Sequence, residues 1–140
     1  MYQLTMNRGF PLPLHQLFEA WKNPELLQKW FAPGDLQVAE TTIDFKVGGA
    51  YRIVMKNPQG QVMAVGGTYL EIIEEQRLVF SWKWEASPNT TKVEIDFEAV
   101  NGHSSQLTLV HSEFLTDPEQ SHHHQGWTSM MEKLRQGFVT

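Results

Sequence analysis

The spacing of apolar residues changes period twice along the chain. In "FPLPLHQLFEAW", Leu14, Leu17, Phe18 and Trp21 recur at i, i+3, i+4 and i+7 behind Pro13, the signature of one helix face opened by a first-turn proline. Asn23-Pro24 then reads as the N-cap and first position of a second short helix, "PELLQKWF", which ends near Ala32-Pro33-Gly34. Both helices follow an opening strand. From Leu36 to Phe114 the period is two. "TKVEIDFEAV" sets Val93, Ile95 and Phe97 on one face and Lys92, Glu94, Asp96 and Glu98 on the other. "RLVFSWKWE" likewise groups Leu78, Phe80, Trp82 and Trp84 opposite Arg77, Val79, Ser81 and Lys83. Turn chemistry at Val47-Gly48-Gly49, "NPQGQ", "EEQ", "ASPNT" and "NGH" divides this stretch into about six consecutive antiparallel strands. The chain closes with a helix expected from about Pro118 to about Gln136. Asp117 is its N-cap, Pro118 its first position and Gln120 its third, and Trp127, Met130, Met131, Leu134 and Phe138 form its apolar stripe.

Two echoing strings, "VGGAY" and "VGGTY", place glycine pairs inside strand patterns, where they mark bends that curl a sheet. A phosphate loop would need a helix directly after the glycines, and strands follow instead.

Length and composition narrow the field. At 140 residues, with 41% apolar and 19% charged positions, the chain has the size and balance of one globular domain spanning 1–140. No stretch approaches the ~18 apolar residues of a membrane span, and no secretory signal opens the sequence, so the expected location is the cytoplasm. The absence of cysteine excludes disulfides, a thiol nucleophile and cysteine-ligated metal. A net charge of −5 without any basic cluster makes nucleic acid and anionic membranes poor partners.

The distinctive chemistry is "SHHHQGW". Consecutive helical residues are rotated by about 100°, so His122, His123 and His124 fan apart and cannot converge on one ion. His123 and His124 lie four and three residues before Trp127 and share its stripe, whereas His122 points away. The plain expectation is packing at the rim of the core with hydrogen-bond partners. In "LTLVHSEF", His111 shares a face with Leu107 and Leu109, and Glu113 should follow on it. A two-histidine, one-carboxylate set of His111, Glu113 and His123 or His124 is therefore a conceivable metal site, although none is assigned. His111 and Ser112 point to opposite faces and cannot form a nucleophile–base pair, and no hydrolase motif is present. The stripe Glu94, Asp96, Glu98 reads as a solvated face that pairs with Lys83 or Arg77.

The strings "FEAWKNPELLQKWFAPG", "IDFKVGGAYRIVM", "GGTYLEIIEEQRLVFSW", "LTLVHSEF" and "HHQGWTSMMEKL" occur in order from about Arg8 to Leu134. Together they resemble the family named for the C-terminal domain of the activator of the heat-shock protein 90 ATPase, in the START-like (SRPBCC) superfamily. The resemblance implies an α+β helix-grip fold: a strand, two short helices, and a curved antiparallel sheet wrapped around a long C-terminal helix. The matching positions are Trp30, Pro33, Asp44, Gly48, Gly49, Gly67, Trp82, His111, Gly126, Trp127 and Leu134, most of them fold-defining. Superfamily relatives bind lipids, sterols, polyketides or other hydrophobic ligands, some with catalysis.

The leading expectation is thus a protein that binds a small hydrophobic molecule between sheet and final helix. Trp30, Phe80, Trp82, Trp84, Trp127, Met130 and Met131 would line the cavity, with His111 and His123 as polar contacts. The bland alternative is a fully packed aromatic core. No catalytic residue, cofactor or metal is assigned. A chaperone-cofactor module is a second reading, weakened because the eukaryotic co-chaperone carries an additional N-terminal domain for which this chain has no room. A cyclase- or hydrolase-like enzyme with His111 as base is a third. An apolar outer strand such as "LVFSW" is the candidate homodimer surface.

Overall fold

The alternation read from the sequence becomes one seven-stranded sheet in the computed structural model, which describes residues 1–137. In chain order the elements are β1 (Tyr2–Phe10), α1 (Leu14–Lys22), α2 (Pro24–Leu27), β2 (Gln37–Ile43), β3 (Ala50–Lys56) and β4 (Val62–Ile73). They continue with β5 (Arg77–Trp84), β6 (Thr91–Ala99), β7 (Ser105–Phe114) and α3 (Asp117–Gly137). The spatial order is β1-β7-β6-β5-β4-β3-β2, every neighbouring pair antiparallel. Six strands run consecutively from β2 to β7, and β1 returns to the far edge beside β7.

The sheet curves because glycines let strands approach and bend where a side chain would not fit. At Gly67 an added Cβ would lie 2.0 Å from the Ser81 carbonyl oxygen, and at Gly49 it would lie 2.0 Å from that of Asp44. Gly48 adopts φ +86°, a left-handed conformation that glycine takes without strain. Its N–H donates to the Tyr69 carbonyl, and the Tyr69 N–H donates back to Gly49.

Helix boundaries differ from expectation by small, explicable amounts. Pro13 is the N-cap of α1 rather than its first residue, because its ψ of 151° keeps it extended. Asn23 caps α2 as expected, its side chain accepting from the Glu25 N–H. That helix ends at Leu27, and tight turns then carry the chain to Trp30. The cap of α3 is Thr116, not Asp117: its hydroxyl accepts from the Glu119 N–H, and the Glu119 carboxylate reaches back to the Leu115 N–H. Trp127, Met130, Met131 and Leu134 form the buried stripe of α3, while Phe138 lies outside the described residues.

On the outer face Arg77 gathers the acidic stripe. Its guanidinium donates to Glu71 at 2.5 Å, Glu94 at 2.8 Å and Asp96 at 3.0 Å, and these carboxylates raise its pKa further above the ordinary arginine range. Lys83 instead reaches the Trp84 carbonyl. Val79 lies between Glu71 and Glu94 in register, beneath this network, and is 6% exposed. The "LVFSW" segment is therefore not an exposed apolar strand. Its strand lies mid-sheet, Leu78, Phe80 and Trp82 face the core, and long charged side chains roof Val79, which removes the reason for placing a dimer surface there.

Two side chains of α3 clasp the segment after α2. Lys133 Nζ donates to the carbonyls of Ala32, Gly34 and Leu36, and Ser129 Oγ accepts from the Gly34 N–H. Burial lowers the pKa of the Lys133 ammonium, with Asp35 opposing that effect.

Candidate functional site

Strand alternation on β5 and β7 and the helical stripe of α3 bring His111, His123, Trp82, Trp84 and Trp127 together against the concave face. His111 is fully buried on β7. Its Nδ1 accepts the indole N–H of Trp127 at 3.0 Å, which places its proton on Nε2. That proton is donated to Thr91 Oγ1 at 2.6 Å, and the Thr91 hydroxyl in turn donates to the Trp82 carbonyl at 3.2 Å. His123 repeats the logic from α3. Its Nε2 accepts the indole N–H of Trp84 at 2.9 Å, and its Nδ1–H donates to the Glu119 carbonyl at 2.8 Å. The two imidazole centroids are 5.1 Å apart, and Phe114 packs on both.

Both histidines are held neutral. Burial, reinforced by the proximity of His123, pushes the His111 pKa well below its ordinary value. Burial also lowers that of His123, against a raising contribution from its bond to Glu119. Neither imidazole has a lone pair free for a substrate, which argues against His111 as a general base in this conformation.

These shifts set a pH dependence. Because the folded values lie below the unfolded value near 6.5, the unfolded chain binds more protons as pH falls past it. The stabilisation is complete above about pH 6.5 and is lost as pH falls towards the folded values, a window that opens above the carboxylate range near 4. Chemical denaturation at pH 7.5 and 5.5 should show lower stability at 5.5. His111→Asn, which keeps an acceptor for Trp127 but cannot titrate, should reduce the difference; an undiminished difference would assign it to other groups.

The metal set considered from the sequence does not assemble. A bulge on β7, opposite Gln3 of β1, puts Glu113 at φ +73° and turns it outward, so Phe114 takes the inward position beyond His111. His124 is exposed. Among the described residues no group of three histidine, aspartate or glutamate side chains could hold a metal ion.

The nine residues expected around one cavity fall in several places. Trp82, Trp84, His123, Trp127 and Met130 line a rim cleft of about 40 Å³ together with Pro33 and Gly126. Phe80 lines a separate void of about 10 Å³, about the room one water molecule needs, with Trp21, Leu27, Phe31, Tyr51 and Tyr69 among its neighbours. His111 lies behind the cleft, sealed by its own partners. Trp30 and Met131 join neither space. Trp30 turns under α1, donating its indole N–H to the Ala20 carbonyl, and Met131 faces the Asn7–Phe10 end of β1. Phe31 stands between cleft and void: it lines the void and packs on Trp82 and Trp127, with ring centroids 5.8 and 6.0 Å away.

Sequence reasoning missed Tyr51, Tyr69 and Thr91 as interior groups, and it placed Trp21 on the apolar face of α1 without bringing it to the cavity. Thr91 was within reach, since it begins the alternation Thr91, Val93, Ile95, Phe97. Tyr51 donates to the Ser81 carbonyl at 2.6 Å, and burial keeps both tyrosines protonated by raising their pKa values. Trp21 and Trp82 are each 2% exposed, yet their indole N–H groups find no acceptor among the described residues.

A curved sheet gripping a C-terminal helix over an aromatic interior defines a START-like helix-grip protein. The chain belongs to the family described as activator of Hsp90 ATPase homolog 1-like protein, whose model matches residues 11–138. Solved structures agree. The AHSA1 protein of Silicibacter pomeroyi is 26% identical, with 99% of this chain and 98% of that one covered at a TM-score of 0.88. A protein of Chromobacterium violaceum is 22% identical, covering 97% and 96% at a TM-score of 0.84. CalU16 of Micromonospora echinospora is 21% identical, covering 94% and 73% at a TM-score of 0.72. The last two likenesses speak for fold alone. Comparison with curated proteins gives no significant match. Among the described residues no helix is long and apolar enough to cross a membrane.

Proposed function

We propose that the chain binds a small apolar molecule between its concave face and α3, in space made by displacing the Phe31 side chain. The observation that carries this reading is the position of Phe31 between two unfilled spaces, on a segment outside regular secondary structure. The surroundings are aromatic and carry no charged side chain, which is the usual chemistry of apolar ligand sites. The chaperone-cofactor reading draws on the family description alone.

Titration with naphthalene and acetophenone, followed by tryptophan fluorescence, tests the reading. A saturable change is expected for the wild type. Phe31→Ala should bind more tightly by about ten-fold, since it removes the plug, and Phe31→Trp should bind more weakly. Binding by Phe31→Ala but not by the wild type would mean an engineered hole rather than a native site, and would overturn the proposal.

A further inference from the structure

Among the described residues three buried side-chain polar atoms lack a partner, Thr41 Oγ1 on β2 and the indole N–H groups of Trp21 and Trp82, and the two indoles share one aromatic cluster. Of the five tryptophans, Trp30, Trp84 and Trp127 donate their indole N–H to Ala20, His123 and His111. Trp21 and Trp82 do not donate. A buried donor left unpaired forfeits its hydration without recompense, so two in one aromatic cluster form a conspicuous deficit. Trp21 lines the void, Trp82 lines the cleft, and both pack on Trp127 at 6.0 and 5.2 Å. Each unpaired donor thus borders one of the two spaces that Phe31 divides.

The same interior offers little to a ligand's own protons. The imidazole lone pairs are occupied and no carboxylate lines either space, so the side-chain acceptors of the void lining are the weakly basic phenolic oxygens of Tyr51 and Tyr69. Nor would it receive charge: the titratable side chains lining the two spaces among the described residues are Tyr51, Tyr69, His122 and His123, burial keeps both tyrosines protonated and neutral, and burial disfavours the His123 cation. A single water in the void is a weak substitute, because an ordered buried water makes about three hydrogen bonds and the void lining is nearly all apolar.

From this juxtaposition of two unpaired indole donors with an uncharged aromatic lining, we infer that the ligand is a neutral molecule whose polar group is an acceptor oxygen of ketone, ester or ether type, taken by the N–H of Trp21 or Trp82. The inference rests on the proposed binding site and adds the class of ligand to it. A carboxylic acid, an amine or a pure hydrocarbon is selected against, the first two by desolvation and the third because it leaves the donors unpaired.

Matched probes separate the two claims. The ¹⁵N-labelled wild-type protein is titrated with acetophenone and with α-methylstyrene, which replaces the carbonyl oxygen by a methylene of similar size. 2-Acetylnaphthalene and 2-isopropenylnaphthalene serve as a larger pair. The ketones should bind at least ten-fold more tightly and move the indole Hε1 signal of Trp21 or Trp82 downfield, leaving those of Trp84 and Trp127 in place. Trp21→Phe and Trp82→Phe should between them erase the ketone preference while hydrocarbon binding persists. Equal affinity within a matched pair, or no indole shift, overturns the acceptor assignment and leaves the binding site standing. Absence of binding by every probe overturns both. The wild-type shifts decide the matter even where a tryptophan variant fails to fold.

Discussion

Trp127→Ala is expected to lower stability by about 4–6 kcal/mol, a large part of the roughly 5–15 kcal/mol that holds a domain of this kind together. Trp127 is fully buried and packs on Trp21, Phe31, Trp82 and His111, joining α1, the loop after α2, β5 and β7 to α3. Truncation leaves a large hole among rigid rings, for which about 3–5 kcal/mol is usual. It also strips the donor from His111 Nδ1, adding about 1 kcal/mol or more. Trp127→Phe isolates the second effect, since it keeps most of the ring and loses the N–H. Its cost should be about half that of alanine or less. Urea denaturation monitored by circular dichroism would measure both, and a loss under about 1.5 kcal/mol for the alanine variant would show that α3 is not fastened where the geometry places it.

The second large effect is expected at Gly67. Its missing side chain is what lets β4 pass the Ser81 carbonyl, and an added Cβ would meet that oxygen at 2.0 Å and the Ser81 Oγ at 2.8 Å. Neither atom can retreat freely. The Ser81 carbonyl accepts the Tyr51 hydroxyl and Oγ accepts the Thr68 N–H at 2.8 Å, so relief would break the bend itself. Gly67→Ala should cost about 3 kcal/mol or more, at the upper end of overpacking effects. Gly102→Ala, with nothing within 4 Å of its Cβ position, should stay within about 0.5 kcal/mol and serves as the control. Equal denaturation midpoints for the two would remove the steric account of the sheet's curvature.

How far the chain discloses its site can be judged from β6, β7 and α2. The alternation of β6 is legible because one face must be apolar, and period two then assigns every side chain from Thr91 to Phe97. The same rule fails on β7 at Glu113, because a bulge inserts one residue whose signal is a backbone angle rather than a residue type. His111 could be placed inward from its strand neighbours, but its donor, Trp127, and its acceptor, Thr91, come from elements 16 residues later and 20 earlier. Pairing at that distance is set by packing. Trp30 illustrates the remaining limit: a helical stripe gives a direction from the axis, and once α2 stops at Leu27 that axis no longer applies. Whether aromatic rings enclose a hollow or fill it depends on Phe31 and Trp21 arriving from other elements, a sum of volumes that periodicity does not contain.

The clasp made by Lys133 and Ser129 has a kinetic corollary. If the proposed site is entered past Phe31, loosening of the adjoining strap from Ala32 to Leu36 would sever up to four hydrogen bonds. On that proposed route uptake would be paced by the protein's own breathing and not by collision: its rate would level off at high solute concentration, and a tenant once enclosed would leave no faster than the strap lets go.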